Sequence, residues 1–475
     1  MKLRSFSVIG LVIASALSFQ TLAYDQESWE KDFGKFRDHL LHDNSKQIFG
    51  IDGPLKSSSS QSVDAATAEA NPLSLITTAD SLHAQVVSAH PHLGPNIDMM
   101  DLWPQRYPTH IIACNEQDET DPGIQRISLK DGSVETILRG TVSCDPVHTT
   151  AWGTVIVGEE SGESGSILEL IDPLHTTEVA YHHDTHTLSG YDAHKVAVRE
   201  AIGHTSFEGI VVYPNGVLYY GDENRPSEGT AGGAYYKFIP GNLWTGGKIK
   251  DLSQSPLASG QVYGLRLGLR SGGTDYGQGT NTGLGTWIMI ENSYGADLRA
   301  AASNLKLSGY YRPEDGNRDE KALGDGKVRF CANNTGNEEA DKAWGETICI
   351  TDGTLEEAAA NSASPEVQLF VVGTQDFAMM DNIAYQPYRA NWIIQEDGDA
   401  PGFAENPHNN DIWACLEDGK DDDTLSDGCI RIVTLNDLTA ESTGGFFDKH
   451  GKAYYFSVQH NITGHGVILK LTNWQ

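Results

Sequence analysis

From about residue 80 to the end of this 475-residue chain, short β-type runs alternate with turn residues. Thr154–Val157, Gly209–Tyr213, Val217–Tyr220, Thr286–Ile290, Val367–Val372, Asn391–Ile394 and Ala453–Val458 are rich in β-branched and aromatic side chains, which suit a pleated, half-buried surface. Several belong to one repeated phrase of strand, polar turn and aromatic strand, as in Tyr213–Tyr219 and Phe447–Tyr454. Few architectures accept so many hairpins in one stretch. A sandwich is normally shorter, and a barrel of alternating strands and helices needs long helical spacers that are missing here. The pattern predicts an all-β chain, a β-propeller with long insertions. Its degenerate spacing leaves the number of blades open.

Two segments precede that region. Lys2 and Arg4 lead into an apolar run from Phe6 to Phe19, with a small-residue cleavage site at Thr21–Ala23. The run is short for a membrane span, so residues 1–23 are expected to be a Sec-type signal peptide. Residues 24–78 divide into a helical segment (24–54) and a stretch without periodicity (55–75, with Ser57 to Ser60) that reads as a flexible linker. The propeller domain is expected over 79–475. All six cysteines, Cys114, Cys144, Cys331, Cys349, Cys415 and Cys429, follow the cleavage site. An even count in an exported chain suggests disulfides, with nearest neighbours the preferred pairing among the alternatives. The expected location is periplasmic or secreted, and the expected state a monomer.

Charge narrows the partners. Lys and Arg total 33 against 65 Asp and Glu, a formal charge of −32. Such a surface repels phosphate backbones, which excludes nucleic acid as a partner. No later stretch is apolar enough for membrane insertion. Acids recur at the strand ends: Glu159-Glu160, Glu208, Asp222-Glu223, Glu314-Asp315, Asp381 with Asn382, and Glu396-Asp397. In a propeller, strand ends around the axis converge on one face, and crowded carboxylates need hard cations such as calcium. Singly, each is as readily a solvated turn residue. His182, His183 and His186 have a spacing that could hold a metal or simply line a polar loop. Walker loops and nucleophile elbows are absent from the sequence.

Four stretches, taken in order, resemble PhoX-type alkaline phosphatases, a family of calcium- and iron-dependent β-propellers. Ala151–Glu160 is similar to the family's Trp-Gly-Thr strand with its Cys-Glu-Glu ending. Phe207–Gly209, Gly221–Arg225 and Tyr235–Phe238 resemble its Glu-Gly, acidic-pair and Tyr-Lys-Phe elements. Arg312–Glu314 looks like its Arg-Pro-Glu, and Asp381-Asn382, Trp392, Asp397-Gly398 and Gln459-His460 match its later elements. The resemblance implies an exported phosphomonoester hydrolase acting on small phosphorylated substrates at a central carboxylate–metal cluster. Carried over by position, Glu159, Glu208, Asp222, Glu314, Asp381 and Asn382 are the implied metal ligands, and Arg312 the implied phosphate-contacting catalytic residue. Gly158 stands where the family has its iron-binding cysteine and offers no side-chain ligand. Calcium is therefore the first expected cofactor and iron the second. The alternatives are a calcium-binding propeller without phosphatase activity, and another calcium-dependent hydrolase such as a phosphodiesterase or lactonase.

Overall fold

A computed structural model describes residues 35–224, 233–268, 282–336, 344–398, 408–419 and 422–474. The expected signal peptide and the start of the helical segment lie outside these residues. Strands dominate. The strands Ile97–Trp103, Cys144–Thr149, Phe207–Val212, Pro313–Arg318, Met380–Tyr385 and Glu441–Phe447 pack side by side in that order, and the last returns to the first. Each forms the inner edge of a sheet whose further strands run outward, almost all antiparallel. The ten-stranded sheet is two such fans, headed by Phe207–Val212 and Pro313–Arg318, joined where Gly283–Met289 meets Glu366–Val372. This is the propeller that the hairpin pattern predicts.

Closure comes from the chain's own ends. His83–Ser88 pairs with Val467–Thr472, so a strand from the N-terminal side completes the sheet that carries the C terminus. Ile76–Thr78 likewise pairs with Cys429–Leu435. Closing the ring in this way leaves fewer unpaired sheet edges.

The inner strands are largely buried because neighbouring sheets pack against them, and Phe207–Val212 and Met380–Tyr385 are buried along their whole length. An acid nevertheless stands at the first or second position of every one: Asp98, Asp145, Glu208, Glu314, Asp381 and Glu441. Just after these acids the pairing register shifts, between Ile97 and Met100, Cys144 and Val147, Phe207 and Ile210, Pro313 and Gly316, and Met380 and Ile383. In the last inner strand the shift falls between Thr443 and Phe446. A bulge breaks strict alternation and re-aims a side chain. Here it turns carboxylates toward the axis.

The cysteines pair as nearest neighbours, Cys114–Cys144, Cys331–Cys349 and Cys415–Cys429. Short helices at Lys35–Asp43 and Ser45–Ile48 fall within the expected helical segment. The flexible linker expected at 55–75 is corrected. Leu55 bridges to Arg431, the Ser58 hydroxyl donates to the Asp411 carboxylate (2.9 Å), and the Ser59 N–H donates to the Thr434 hydroxyl (2.9 Å). Asp64 then caps the short helix Ala65–Ala70. Serine composition alone does not distinguish a free chain from one whose hydroxyls and amides bond a sheet edge.

One buried ion pair ties the two fans of the ten-stranded sheet together. Lys237 Nζ lies 2.7 Å from Asp352 Oδ2 with both side chains fully buried, and the Tyr219 hydroxyl donates to the same oxygen at 2.7 Å. Removing one partner of such a pair strands the other charge, at about 3–5 kcal/mol. Lys237→Met is therefore expected to lower the urea unfolding free energy by about that amount. Adding Asp352→Asn to it should recover part of the loss, because the stranded charge goes too.

Candidate metal centre

A cavity of about 700 Å³ opens at the end of the axis where the inner strands begin. Its wall includes Asp98, Glu208, Glu314, Asp381 and Glu441 from the inner strands. The adjoining strands end at the same place and add Glu116, Glu160, Glu223 and Asp397, with Gln459 and His460 beside them. Asp145, on the remaining inner strand, faces Glu208, and neither of its buried oxygens has a hydrogen-bond donor. Carboxylate oxygens of Glu208, Glu314 and Asp381 lie within 4.8 Å of one another.

Desolvation and mutual repulsion act together on these acids. Burial pushes Glu116 up to about 8, with the charges of Asp98 and Asp397 adding to it. Glu314 is also raised by burial to about 8, although Arg312 opposes the shift. Burial lifts Glu160, Glu208, Asp381 and Glu441 well above the usual carboxylate range, and neighbouring acids push the same way. Such a set is stable only if it takes up protons or multivalent cations.

Arg312 is the one guanidinium or ammonium among the described lining residues. Its Nε lies 2.7 Å from Glu223 and 3.2 Å from Glu314, and its Nη2 lies 3.6 Å from Asp397. Burial works against its charge, but Glu314, Asp397 and Glu223 outweigh that and hold it protonated. Its backbone is in the left-handed region (φ 54°), a conformation a non-glycine residue keeps only when its surroundings enforce it.

The structure brings Glu208, Glu314, Asp381 and Arg312 to this cavity. It places the other three expected residues elsewhere, a correction with one cause. Glu159 accepts from the Val142 N–H (2.9 Å) and contacts His183 Nδ1 (2.9 Å), behind the wall, while Glu160 reaches the cavity. Asp222 accepts from Arg299 Nε at 2.9 and 3.0 Å, while Glu223 reaches the cavity. Asn382 Oδ1 accepts from the Thr443 hydroxyl (2.6 Å) and the Gly444 N–H (2.7 Å), pinning two inner strands beside Asp381. In each case the neighbouring residue faces the axis, because successive side chains on a strand point to opposite sides. Sequence reasoning also missed Asp98, Glu116, Asp145 and Glu441. The signal for three of them is the recurring acid at the start of an inner-strand run, just before the bulge.

The cavity's donors are oxygens and one imidazole. No described lining residue offers sulfur, and all six cysteines are in disulfides. A side chain at Gly158 would strike Pro146 (2.6 Å) and Phe207 (2.9 Å), so that position points into packing rather than into the cavity. An oxygen set of this kind fits a hard cation, calcium before a thiolate-held iron.

Fold and site together define a β-propeller with a carboxylate-lined axial cavity. Among solved structures it is similar to Pseudomonas fluorescens PhoX in complex with vanadate, a transition state analogue, with a TM-score of 0.60 at 15% identity over 87% of this chain and 98% of that one. The PQQ-bound aldose sugar dehydrogenase of Streptomyces coelicolor matches at a TM-score of 0.40 and 12% identity, over 83% of this chain and 99% of that one. An oxidoreductase (glucose dehydrogenase) of Thermus thermophilus matches at 0.41 and 10%, over 82% and 99%. No family model matches the chain, and no curated protein matches it in sequence. The chain thus has a PhoX-like β-propeller fold.

Proposed function

We propose that this protein is an exported, metal-dependent phosphomonoester hydrolase that works at the axial cavity. The observation that carries the reading is Arg312, a buried guanidinium set among carboxylates from several sheets. A carboxylate cavity by itself repels a phosphate dianion, so the reading requires cations. Glu208, Glu314, Asp381, Glu160 and Glu441 are the residues that would hold calcium, with Asp98 beside them and Asp145 behind. Bound calcium would supply the positive charge that phosphoryl transfer needs on its equatorial oxygens.

The chain's own residues do the positioning. The Arg312 fork donates to two phosphate oxygens at once and fixes the ester's orientation. Glu223, Glu314 and Asp397 hold that fork in place and keep it protonated. Gln459 Nε2 donates to Asp98 (3.2 Å) and Glu441 (3.0 Å), and so aims both carboxylates. A cavity of about 700 Å³ suits a small phosphorylated substrate rather than a polymer. The paired cysteines fit an oxidising compartment. Among the described residues, no helix is long and apolar enough to cross a membrane. We extend the reading to a monomer that binds no nucleic acid and inserts in no membrane.

The test is phosphate release from an aryl phosphate. Turnover is expected with calcium, should fall to background in excess EGTA, and should return when calcium is restored. Chelator-sensitive melting without turnover would instead make the protein a calcium-binding propeller. Turnover of a diester or lactone alone would make it another hydrolase on the same frame.

A further inference from the structure

A second cluster of metal-ligating groups lies outside the axial cavity. His186 ends the turn His183–Thr185, Glu200 opens the turn Glu200–Ile202, and His204 follows that turn. None of the three lines the cavity. Their ligand atoms lie within 4.8 Å of one another. Glu200 is shared: one oxygen is 3.0 Å from His204 Nε2 and the other 3.5 Å from His186 Nδ1. The two imidazole centroids are 4.4 Å apart.

Hydrogen-bond accounting shows what the cluster lacks. His204 Nδ1 is 3.1 Å from the Gly165 carbonyl oxygen and 3.2 Å from the Ser166 hydroxyl, which can donate as well as accept. In the tautomer that donates Nδ1–H to the Gly165 carbonyl, the Nε2 lone pair faces the Glu200 carboxylate, an arrangement that a bound cation would satisfy. A second proton on His204 would satisfy the pair. It would also set an imidazolium against the neighbouring His186 ring and leave that imidazole competing for the same carboxylate. A divalent ion satisfies all three at once with both rings neutral. An Nδ1–H donated to a backbone carbonyl is also the usual outer partner of a metal-bound histidine. Tetrahedral ligands on bonds of about 2.0–2.1 Å sit roughly 3.3 Å apart, which matches the two nitrogen–oxygen contacts.

The local backbone supports the arrangement. His186 has a left-handed backbone (φ 50°) that swings its ring toward His204, away from His183 and its partner Glu159. The Gly295 N–H donates to the Glu200 carbonyl (2.7 Å), and Gly295 leaves room beside the Glu200 carboxylate, where an added side chain would come within 3.1 Å. Imidazole donors exclude calcium and favour zinc.

We infer that His186, Glu200 and His204 form a zinc-type transition-metal site separate from the axial cavity. The side chains of His186 and Glu200 keep 23% and 25% of their surface exposed, so solvent could reach the fourth position of a bound ion. This inference does not depend on the phosphatase reading.

The experiment uses the full protein, chelator-stripped and then saturated with calcium so that the carboxylate cavity is filled. Calorimetric titration with zinc is expected to show one site, and cobalt at that site to give the visible absorption of a four-coordinate ion. His186→Ala, on a partly exposed ring, should weaken zinc more than about 100-fold, since even the outer partner of a metal ligand is worth 10–100-fold. Glu200→Gln should weaken it as well, and His182→Ala, on the same turn but outside the cluster, should not. Circular dichroism melts of each variant check that the fold is intact. Zinc uptake unchanged in His186→Ala and Glu200→Gln, or no zinc bound by the wild type, would overturn the inference.

Discussion

Arg312→Ala is expected to lower kcat/KM for an aryl phosphate by about 10²–10³-fold, the loss typical of removing one donor that meets transition-state charge. Two effects combine. The phosphate loses its bidentate partner, and Glu223, Glu314 and Asp397 lose the one cation the described lining residues provide. The second effect makes the cavity more negative, which lowers the calcium concentration needed for half-maximal activity, so the assay should be run at several calcium levels. Arg312→Lys separates the two. A lysine restores charge but not the planar fork, so calcium dependence should return close to wild type while kcat/KM recovers only in part. Wild-type turnover in Arg312→Ala would remove Arg312 from the mechanism and leave charge stabilisation to bound cations alone.

How far the sequence could be read depended on which physical rule governed each element. Hairpin periodicity is local, so strands such as Gly209–Tyr213 and Ala453–Val458 showed in the sequence, and the propeller followed. Disulfide pairing between neighbours also showed. The site was legible only to the nearest residue. Glu159 against Glu160, Asp222 against Glu223, and Asn382 against Asp381 are choices between the two faces of a strand. At Asp381 and Asn382 the register also shifts within their own strand. Bulges are set by pairing with a distant strand, which no local pattern records. Asp98, Asp145 and Glu441 begin inner strands just as Glu208, Glu314 and Asp381 do, but they lie outside the stretches that carry the family resemblance. The stretch 55–75 misled through composition, because the hydroxyl of Ser58 meets its partner Asp411 more than 300 residues along the chain (|i−j| 353).

Calcium should stabilise this protein strongly, and more so at alkaline than at acid pH. The sign follows from the carboxylates of the cavity. Their folded-state pKa values are raised by burial and by one another, to about 8 for Glu116 and Glu314. Unfolded, the same groups titrate near 4. A raised pKa contributes stability that is fully present below the unfolded value and is lost as pH rises through the folded one. The chelator-treated protein should therefore melt at a lower temperature at pH 8.5 than at pH 5. The exposed acids Asp118 and Asp131, lowered by hydrogen bonds to nearby groups, work in the opposite sense, but their contribution is lost only below about pH 4. Calcium binds the ionised carboxylates and competes with protons, so its effect grows over the interval in which the metal-free protein weakens. At a thousandfold excess over Kd, one site contributes about 4 kcal/mol. At roughly 2 °C per kcal/mol for a large domain, that is about 8 °C per site. Melting curves with EGTA and with calcium at pH 5 and pH 8.5 measure both quantities. An absent calcium-induced shift would mean that the buried acids meet no cation and carry their protons into the folded state. A shift equal at the two pH values would mean that calcium does not compete with those protons.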